Sequence, residues 1–80
     1  MPTVLRQDGY RFHFYSHEPN EPPHVHVDKG GASAKLWLES VAVARNMGYK
    51  PHELTAIIGI VRAHRETMLE AWHGHFGTGG

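Results

Sequence analysis

Apolar and polar residues alternate along the first half of the chain, whereas the second half repeats apolar residues at helical spacing. A period of two is typical of half-buried strands, and spacings of three and four residues are typical of an amphipathic helix. The pattern predicts strands over residues 3–7, 10–15, 24–29, 32–38 and 41–45, and a helix over residues 51–75.

Short turn signals between these segments set the strand register. Asp8-Gly9 and Gly30-Gly31 are typical of two-residue hairpin turns, and Glu39-Ser40 is a further candidate. With these turns, one face of the sheet collects the apolar residues Leu5, Phe12, Phe14, Val25, Val27, Leu36, Leu38, Val41 and Val43. We therefore expect an α+β fold: an antiparallel meander of four or five strands, with one face covered by a long C-terminal helix.

The opposite face of the predicted sheet is polar and rich in histidine. We call it the His-rich face and define it as Arg6, Arg11, His13, Tyr15, His24, His26, Asp28, Lys35 and Trp37. The register makes His13 a neighbour of His26, Arg11 a neighbour of Asp28, and Tyr15 a neighbour of His24. A shift by one residue would bury the histidines and expose the valines, so the register should be firmly held. We expect this face to be open to solvent and to carry the function.

Composition narrows the classes of protein. The chain has 80 residues, eight of them histidine, no cysteine and a formal charge of zero. We expect one domain over residues 1–77 and a disordered tail over residues 78–80. Disulfides and thiolate chemistry are excluded, and a protein that coats nucleic acid is disfavoured. Without an apolar run of about 18 residues or a leader pattern, we expect a cytoplasmic protein that does not contact membranes.

A metal site is one alternative for the His-rich face. His24 and His26 lie two residues apart on one strand, so their side chains point to the same side about 6–7 Å apart. His13 on the neighbouring strand is the candidate third ligand, since three imidazoles with an open fourth position are typical of catalytic zinc. Further candidate ligands are the carboxylates of Glu18, Glu21 and Asp28. Zinc or another divalent transition metal is thus an alternative to a protein without a cofactor.

Nucleic acid is another candidate ligand. Trp37 and Tyr15 offer stacking surfaces, and the candidate phosphate contacts are Arg6, Arg11 and Lys35. A related alternative is a metal-independent ribonuclease, in which His13, His26 and Lys35 would act as acid, base and phosphate stabiliser. No signature spacing supports catalysis, so we expect a binding protein rather than an enzyme.

A protein partner is the main expectation for so small a chain. Exposed aromatic residues and sheet edges are suited to a partner strand or to a second copy of the chain in a homodimer. The residues expected to bind the partner are Arg11, His13, Tyr15, His24, His26, Lys35 and Trp37.

The chain also resembles a known family. Its opening, MPTVLRQDGYRFHFYSHEPNEPPHVHV, resembles that of the small bacterial proteins of the domain-of-unknown-function 4160 family, with the Pro-Pro-His-x-His-Val motif at residues 22–27. The segments KLWLESVAVARNMGYKPHEL and IVRAHRETMLEAWHGHFG are similar to the family's strand–turn–helix region and closing helix. The resemblance covers residues 1–77, and Lys50 departs from it because relatives often carry a capping Ser there.

The resemblance implies a context rather than a chemistry. Genes of this family often lie beside a gene of another family of unknown function, number 2442, in a layout that looks like a toxin–antitoxin pair. We therefore expect a module of a two-gene, toxin–antitoxin-like system. It would bind the neighbouring gene's product, with nucleic acid as a second ligand, through the His-rich face.

Overall fold

The computed structural model describes residues 3–15 and 21–76. Its elements are β1 (Thr3–Gln7), β2 (Tyr10–His13), β3 (His24–Lys29), β4 (Ala32–Trp37), β5 (Ala42–Met47), α1 (Pro51–Ala63) and α2 (Arg65–Phe76). The strands form one antiparallel sheet in the order β1-β2-β3-β4-β5. The predicted tail over residues 78–80 and the candidate ligand Glu18 lie outside the described residues. The α+β meander is confirmed.

Two glycine turns hold the register of the sheet. Asp8 and Gly9 both have positive φ, 55° and 85°, as a type I′ hairpin turn requires. The ladder pairs Leu5 with Phe12 across this turn. It also contains the predicted pairs His13–His26 and Arg11–Asp28, and it pairs Phe12 with Val27, Val25 with Leu36 and His26 with Lys35, as the turn positions require. The predicted register of β2, β3 and β4 is therefore confirmed where these strands pair.

The apolar face of the sheet packs against the two helices in one core. Phe12, Phe14, Val25, Val27, Leu36 and Leu38 are fully buried. The helices contribute Ile57, Val61, Met68 and Trp72, and Leu5, Val41 and Val43 pack partly buried against this cluster. Strand alternation therefore directs the apolar residues to the helix side and the histidines to the other side.

Several predicted strand ends are wrong. β2 ends at His13, so Phe14 and Tyr15 do not continue the ladder to Val25 and His24. The last hairpin is not a two-residue turn at Glu39-Ser40, because residues 38–41 form the turn and Trp37 pairs with Ala42. Val41 is in the left-handed region, with φ 53°. β5 consequently starts one residue later than expected and continues to Met47.

The predicted single helix is broken at His64. Its backbone N–H bonds to the carbonyls of Ile60 and Val61, and its φ and ψ of −115° and 18° end α1. Side chains at the break hold the helices to the sheet. The Nε2–H of His64 donates to Gln7 Oε1 (3.1 Å) on β1. The Nε–H of Arg65 donates to the carbonyl of Leu38 (2.9 Å) in the last hairpin. The gap in the helical pattern thus marks a bend with contacts at both sides of the sheet.

In the described ranges, neither helix combines the length and apolar character needed to cross a bilayer.

Candidate functional site

The His-rich face contains a concave pocket of about 420 Å³. It is lined by most of the residues that the sequence predicted for partner binding: Arg11, His13, Tyr15, His26 and Lys35. Their side chains converge because antiparallel pairing sets alternate residues of neighbouring strands side by side. Val27 and Ala34 border the pocket from β3 and β4, although both belong to the core on the other side of the sheet. Tyr15 and the exposed Met47 give the pocket its apolar part. Volumes of this order are typical of ligand sites.

One row of side chains crosses the pocket from strand to strand. The ladder pairs His13 with His26, His26 with Lys35, and Lys35 with Arg45. Three strand spacings of about 4.8 Å separate the ends of this row by about 14 Å. The pocket is therefore an elongated trough, with imidazoles at the β2 end and cations at the β5 end.

His13 is buried at the imidazole end of the trough. It is 3% exposed, and its ring stacks on His26 with centroids 5.9 Å apart. Its buried Nδ1 makes no hydrogen bond within the described chain, and Asp28 Oδ1 lies 3.7 Å from it. Burial lowers the pKa of His13 below its usual value; Asp28 opposes this shift, whereas Arg11 and His26 add to it. A neutral imidazole at pH 7 follows from this environment.

The expectation of a fully open face is wrong for His24 as well as for His13. His24 is completely buried, and Trp72 of α2 covers its ring at a centroid distance of 4.9 Å. Its Nδ1–H donates to the carbonyl of Pro22 (3.0 Å), and its ring also meets Trp37 edge-on. Neither His24 nor Trp37 lines the trough. The start of β3 is therefore part of the protein's packing, because Trp72 contacts both His24 and the core residue Phe14.

Two cations of the trough are already paired with carboxylates. Arg11 donates twice to Asp28, from Nε to Oδ1 and from Nη2 to Oδ2, both at 3.2 Å. Lys35 forms an ion pair with Glu21 and lies over the ring of Trp37, 4.7 Å from its centroid. Glu21 thus pairs with a lysine, although the sequence suggested it as a metal ligand.

Sequence reasoning missed three residues of the trough, namely Ser33, Arg45 and Met47. Simple alternation from Val43 places Arg45 on the core side. A β-bulge leaves Ala44 without a partner, so Lys35 pairs with Arg45 and Leu36 with Val43. The bulge turns Arg45 and Met47 onto the His-rich face. The available signal was the charge of Arg45 at a position that alternation assigns to the core.

The three predicted metal ligands of the His-rich face are His24, His26 and His13. Across residues 3–15 and 21–76, no group of three or more His, Asp or Glu side chains is arranged to hold a metal ion. His24, His26 and His13 do lie near one another, with centroid distances of 5.1 Å for His24–His26 and 5.9 Å for His13–His26. Zinc binding by these three residues stays a prediction, which a zinc titration of the wild-type protein and His24→Ala tests.

The ribonuclease hypothesis concerns the same trough. His13, His26 and Lys35 all line it, and His13 is neutral as a general base must be. The Nδ1 of His13 is buried, however, and Lys35 is engaged with Glu21. The arrangement is better suited to holding a ligand than to transferring a proton. Catalysis stays an alternative, and it requires a bell-shaped pH profile that depends on His26.

Comparisons with known proteins give a family without a described activity. No curated protein and no solved structure among those compared matches the chain. A family model described as Domain of unknown function (DUF4160) matches residues 9–73, which include every strand that lines the trough. Because this match covers most of the chain, the protein belongs to the DUF4160 family.

Proposed function

We propose that this protein is a binding module whose trough on the His-rich face docks a partner protein. The observation that carries the proposal is the trough itself: a concave, partly apolar surface on the sheet face opposite the helices. Met47 at its edge is 58% exposed. Arginine, methionine and aromatic side chains are enriched in protein interfaces, and all of these line the trough.

The charges favour a protein over a nucleic acid as the main partner. Asp28 and Glu21 already neutralise Arg11 and Lys35. Nucleic-acid binding depends on several uncompensated cations that displace counterions from the phosphates. Nucleic acid remains the second candidate ligand, supported by Arg45 and by the aromatic wall of Tyr15 and His26.

The partner that we propose is the product of a neighbouring gene. This follows from the two-gene, toxin–antitoxin-like arrangement that the family resemblance implies, in a bacterial cytoplasm. The small size of the trough suits a segment of the partner rather than a large flat surface. A second copy of the chain is the alternative partner, which sedimentation of the isolated protein tests.

A matched pair of substitutions tests the proposal. The affinity of this protein for the product of the neighbouring gene is measured by calorimetry with two variants. One is Met47→Lys in the trough. The other is Glu66→Lys on α2, where the Glu66 side chain is 92% exposed. We expect Met47→Lys to weaken the complex about tenfold or more, because a lysine at the contact must be desolvated. Glu66→Lys should leave the affinity unchanged. Equal affinities for the two variants would refute docking in the trough. So would hydrogen exchange that shows the partner protecting only backbone amides of the helices.

A further inference from the structure

We propose that the trough accepts a single acidic side chain of the partner, held by the guanidinium of Arg45 and the hydroxyl of Ser33. This inference rests on the proposed function, since it names the chemical group that the partner inserts. It concerns the β5 end of the trough, which the sequence pattern did not assign to the site.

The first support is the charge distribution. Apart from the imidazoles, the trough and its ion pairs contain three cations, Arg11, Lys35 and Arg45, and two carboxylates, Asp28 and Glu21. One positive charge is left over. Within the described residues, Arg45 forms no ion pair, so this excess charge lies at its guanidinium. One excess cation is matched by one anion.

The second support is the placement of the donors. Lys35 pairs with Arg45 and Ser33 with Met47, so Ser33 is the diagonal neighbour of Arg45 on the adjacent strand. Diagonal neighbours lie about 7–8 Å apart, which a long arginine side chain spans. The hydroxyl of Ser33 has no hydrogen-bond partner among the described residues. A carboxylate between these donors accepts two hydrogen bonds from the guanidinium and a further one from the hydroxyl.

The third support is the apolar flank beside the donors. Met47 lies opposite Ser33 on the same face and is exposed. An acidic residue with an apolar neighbour would therefore match both features. The unpaired Ala44 interrupts β5 at the edge of the sheet, and bulges of this kind disfavour the addition of another strand. The partner is thus expected to dock on the face of the sheet rather than along its edge.

The same distribution argues against a phosphodiester chain as the occupant. A strand of RNA carries one negative charge for every nucleotide, so several phosphates would approach the face together. The carboxylates of Asp28 and Glu21 lie at the trough and would repel the additional phosphates. A single carboxylate at Arg45 brings no neighbouring negative charge to the face. It therefore leaves both existing ion pairs intact.

Peptide titration of the full chain tests this inference. One probe is a blocked pentapeptide with a central aspartate between two leucines, and the control probe has asparagine in place of aspartate. Shifts of the backbone amides at 33, 45 and 47 and of the Arg45 Nε–H report binding. We expect a dissociation constant of about 1 mM for the aspartate peptide. Binding of the asparagine peptide should be about tenfold weaker, because a charge-assisted bond is lost.

Variants locate the contact. Arg45→Gln should remove the preference for aspartate, and Arg45→Lys should retain part of it, because lysine keeps the charge but not the two-pronged geometry. Arg62→Gln, on the exposed side of α1, is the matched control and should behave as wild type. Equal binding of the two peptides, absence of binding, or tighter binding of a short single-stranded RNA than of the aspartate peptide would overturn the inference.

The outcome can be separated from that of the proposed function. If Met47→Lys weakens the complex with the neighbouring gene's product but Arg45→Gln does not, docking in the trough stands and the acidic anchor is refuted. If neither substitution weakens the complex, both proposals are refuted. If both weaken it and the peptide preference depends on Arg45, both are supported.

Discussion

At the scale of single residues, burial distinguishes His13 from the other polar side chains of the trough. It is 3% exposed, whereas Arg11 and Asp28 beside it are partly open to solvent. A buried imidazole is tolerated as a neutral ring that stacks on His26 and meets Tyr15 edge-on, with centroids 5.3 Å apart. Placing a proton on it would put a charge in a site that has lost most of its water.

The first prediction concerns the pH dependence of stability. Because burial lowers the pKa of His13, the unfolded chain takes up a proton on this residue more readily than the folded chain. Above about pH 6.5, the ordinary histidine value, both states are neutral and the contribution is constant. As the pH falls below that value, the unfolding free energy decreases. Urea unfolding at pH 7.5 and 5.5 should therefore show a smaller decrease for His13→Gln than for wild type.

The exposed residue His52 provides the matched control for this measurement. His52→Gln should retain the pH dependence of the wild-type protein. An identical pH dependence in His13→Gln and wild type would contradict a neutral, buried His13.

At the scale of elements, the central strands follow the sequence pattern and the edge strands depart from it. The ladder shifts between Thr3 and Leu5 in β1 and between Lys35 and Leu36 in the β4–β5 pair. The register of β2 to β4 could be predicted because the glycine turns determine which residues pair. The pairing must also keep the apolar residues on one face of the sheet and the polar residues on the other. An extra residue in an edge strand leaves no mark on composition. The charge of Arg45 at a position that alternation assigns to the core indicates that the pattern breaks in β5, but it does not show which residue is the extra one.

The helix break and the burial of His24 could not be predicted from the sequence either. The polar gap at His64 and Arg65 is compatible with a straight helix until their contacts with Gln7 and Leu38 are known. His24 alternates correctly along β3, but Trp72 covers it from α2, 48 residues later in the chain. Alternation predicts which face a side chain takes and not which distant residue lies over it.

The second prediction concerns the hairpin between β4 and β5. Val41 has φ 53°, a conformation that costs non-glycine residues about 1–2 kcal/mol. Alanine shortens the side chain to its Cβ and glycine removes that atom as well, so the difference between them reports mainly the cost of a Cβ at this φ. We expect Val41→Gly to be more stable than Val41→Ala by about 1 kcal/mol, measured by urea unfolding, the reverse of the usual order in strands. The same pair of substitutions at Val43, in the paired part of β5, should give the usual order, with alanine more stable.

The third prediction concerns the start of α1. Lys50 precedes Pro51 at the N-cap, where its backbone N–H donates to the Glu53 carboxylate (2.9 Å). Serine would add a side-chain acceptor for the free N–H groups of the first turn. Lys50→Ser should therefore raise the unfolding free energy by about 1 kcal/mol. Lys50→Ala separates this effect from the loss of charge, and equal stability of the two variants would contradict a capping gain.

At the scale of the whole molecule, acidic and basic residues are equal in number and paired across the face. The chain has eight of each, and the Arg11–Asp28 and Lys35–Glu21 pairs place both signs in the trough region. Long-range attraction of a polyanion is weak for such a surface. The contacts that select a partner are therefore expected to act at short range.

The fourth prediction follows from this balance. A mixed 12-nucleotide RNA should bind the wild-type protein with a dissociation constant weaker than about 100 µM at physiological salt, as measured by fluorescence anisotropy. The double variant with Glu21→Gln and Asp28→Asn frees Arg11 and Lys35 and should bind the same RNA more tightly. Tight, strongly salt-dependent binding by the wild type, lost in Arg11→Ala and Trp37→Ala, would instead establish nucleic acid as the ligand.

The order of elements along the chain also has a consequence for synthesis. Among the described residues the five strands precede both helices, so the apolar face of the sheet has no cover until α1 and α2 are made. Chains grow at about 5–20 residues per second, which gives the strands several seconds without the helices. The bonds from His64 to β1 and from Arg65 to the last hairpin form only after that interval. A nascent chain of this protein is therefore most aggregation-prone in the interval when its strands have left the ribosome and its helices have not, and chaperones that bind exposed apolar strands would engage it then.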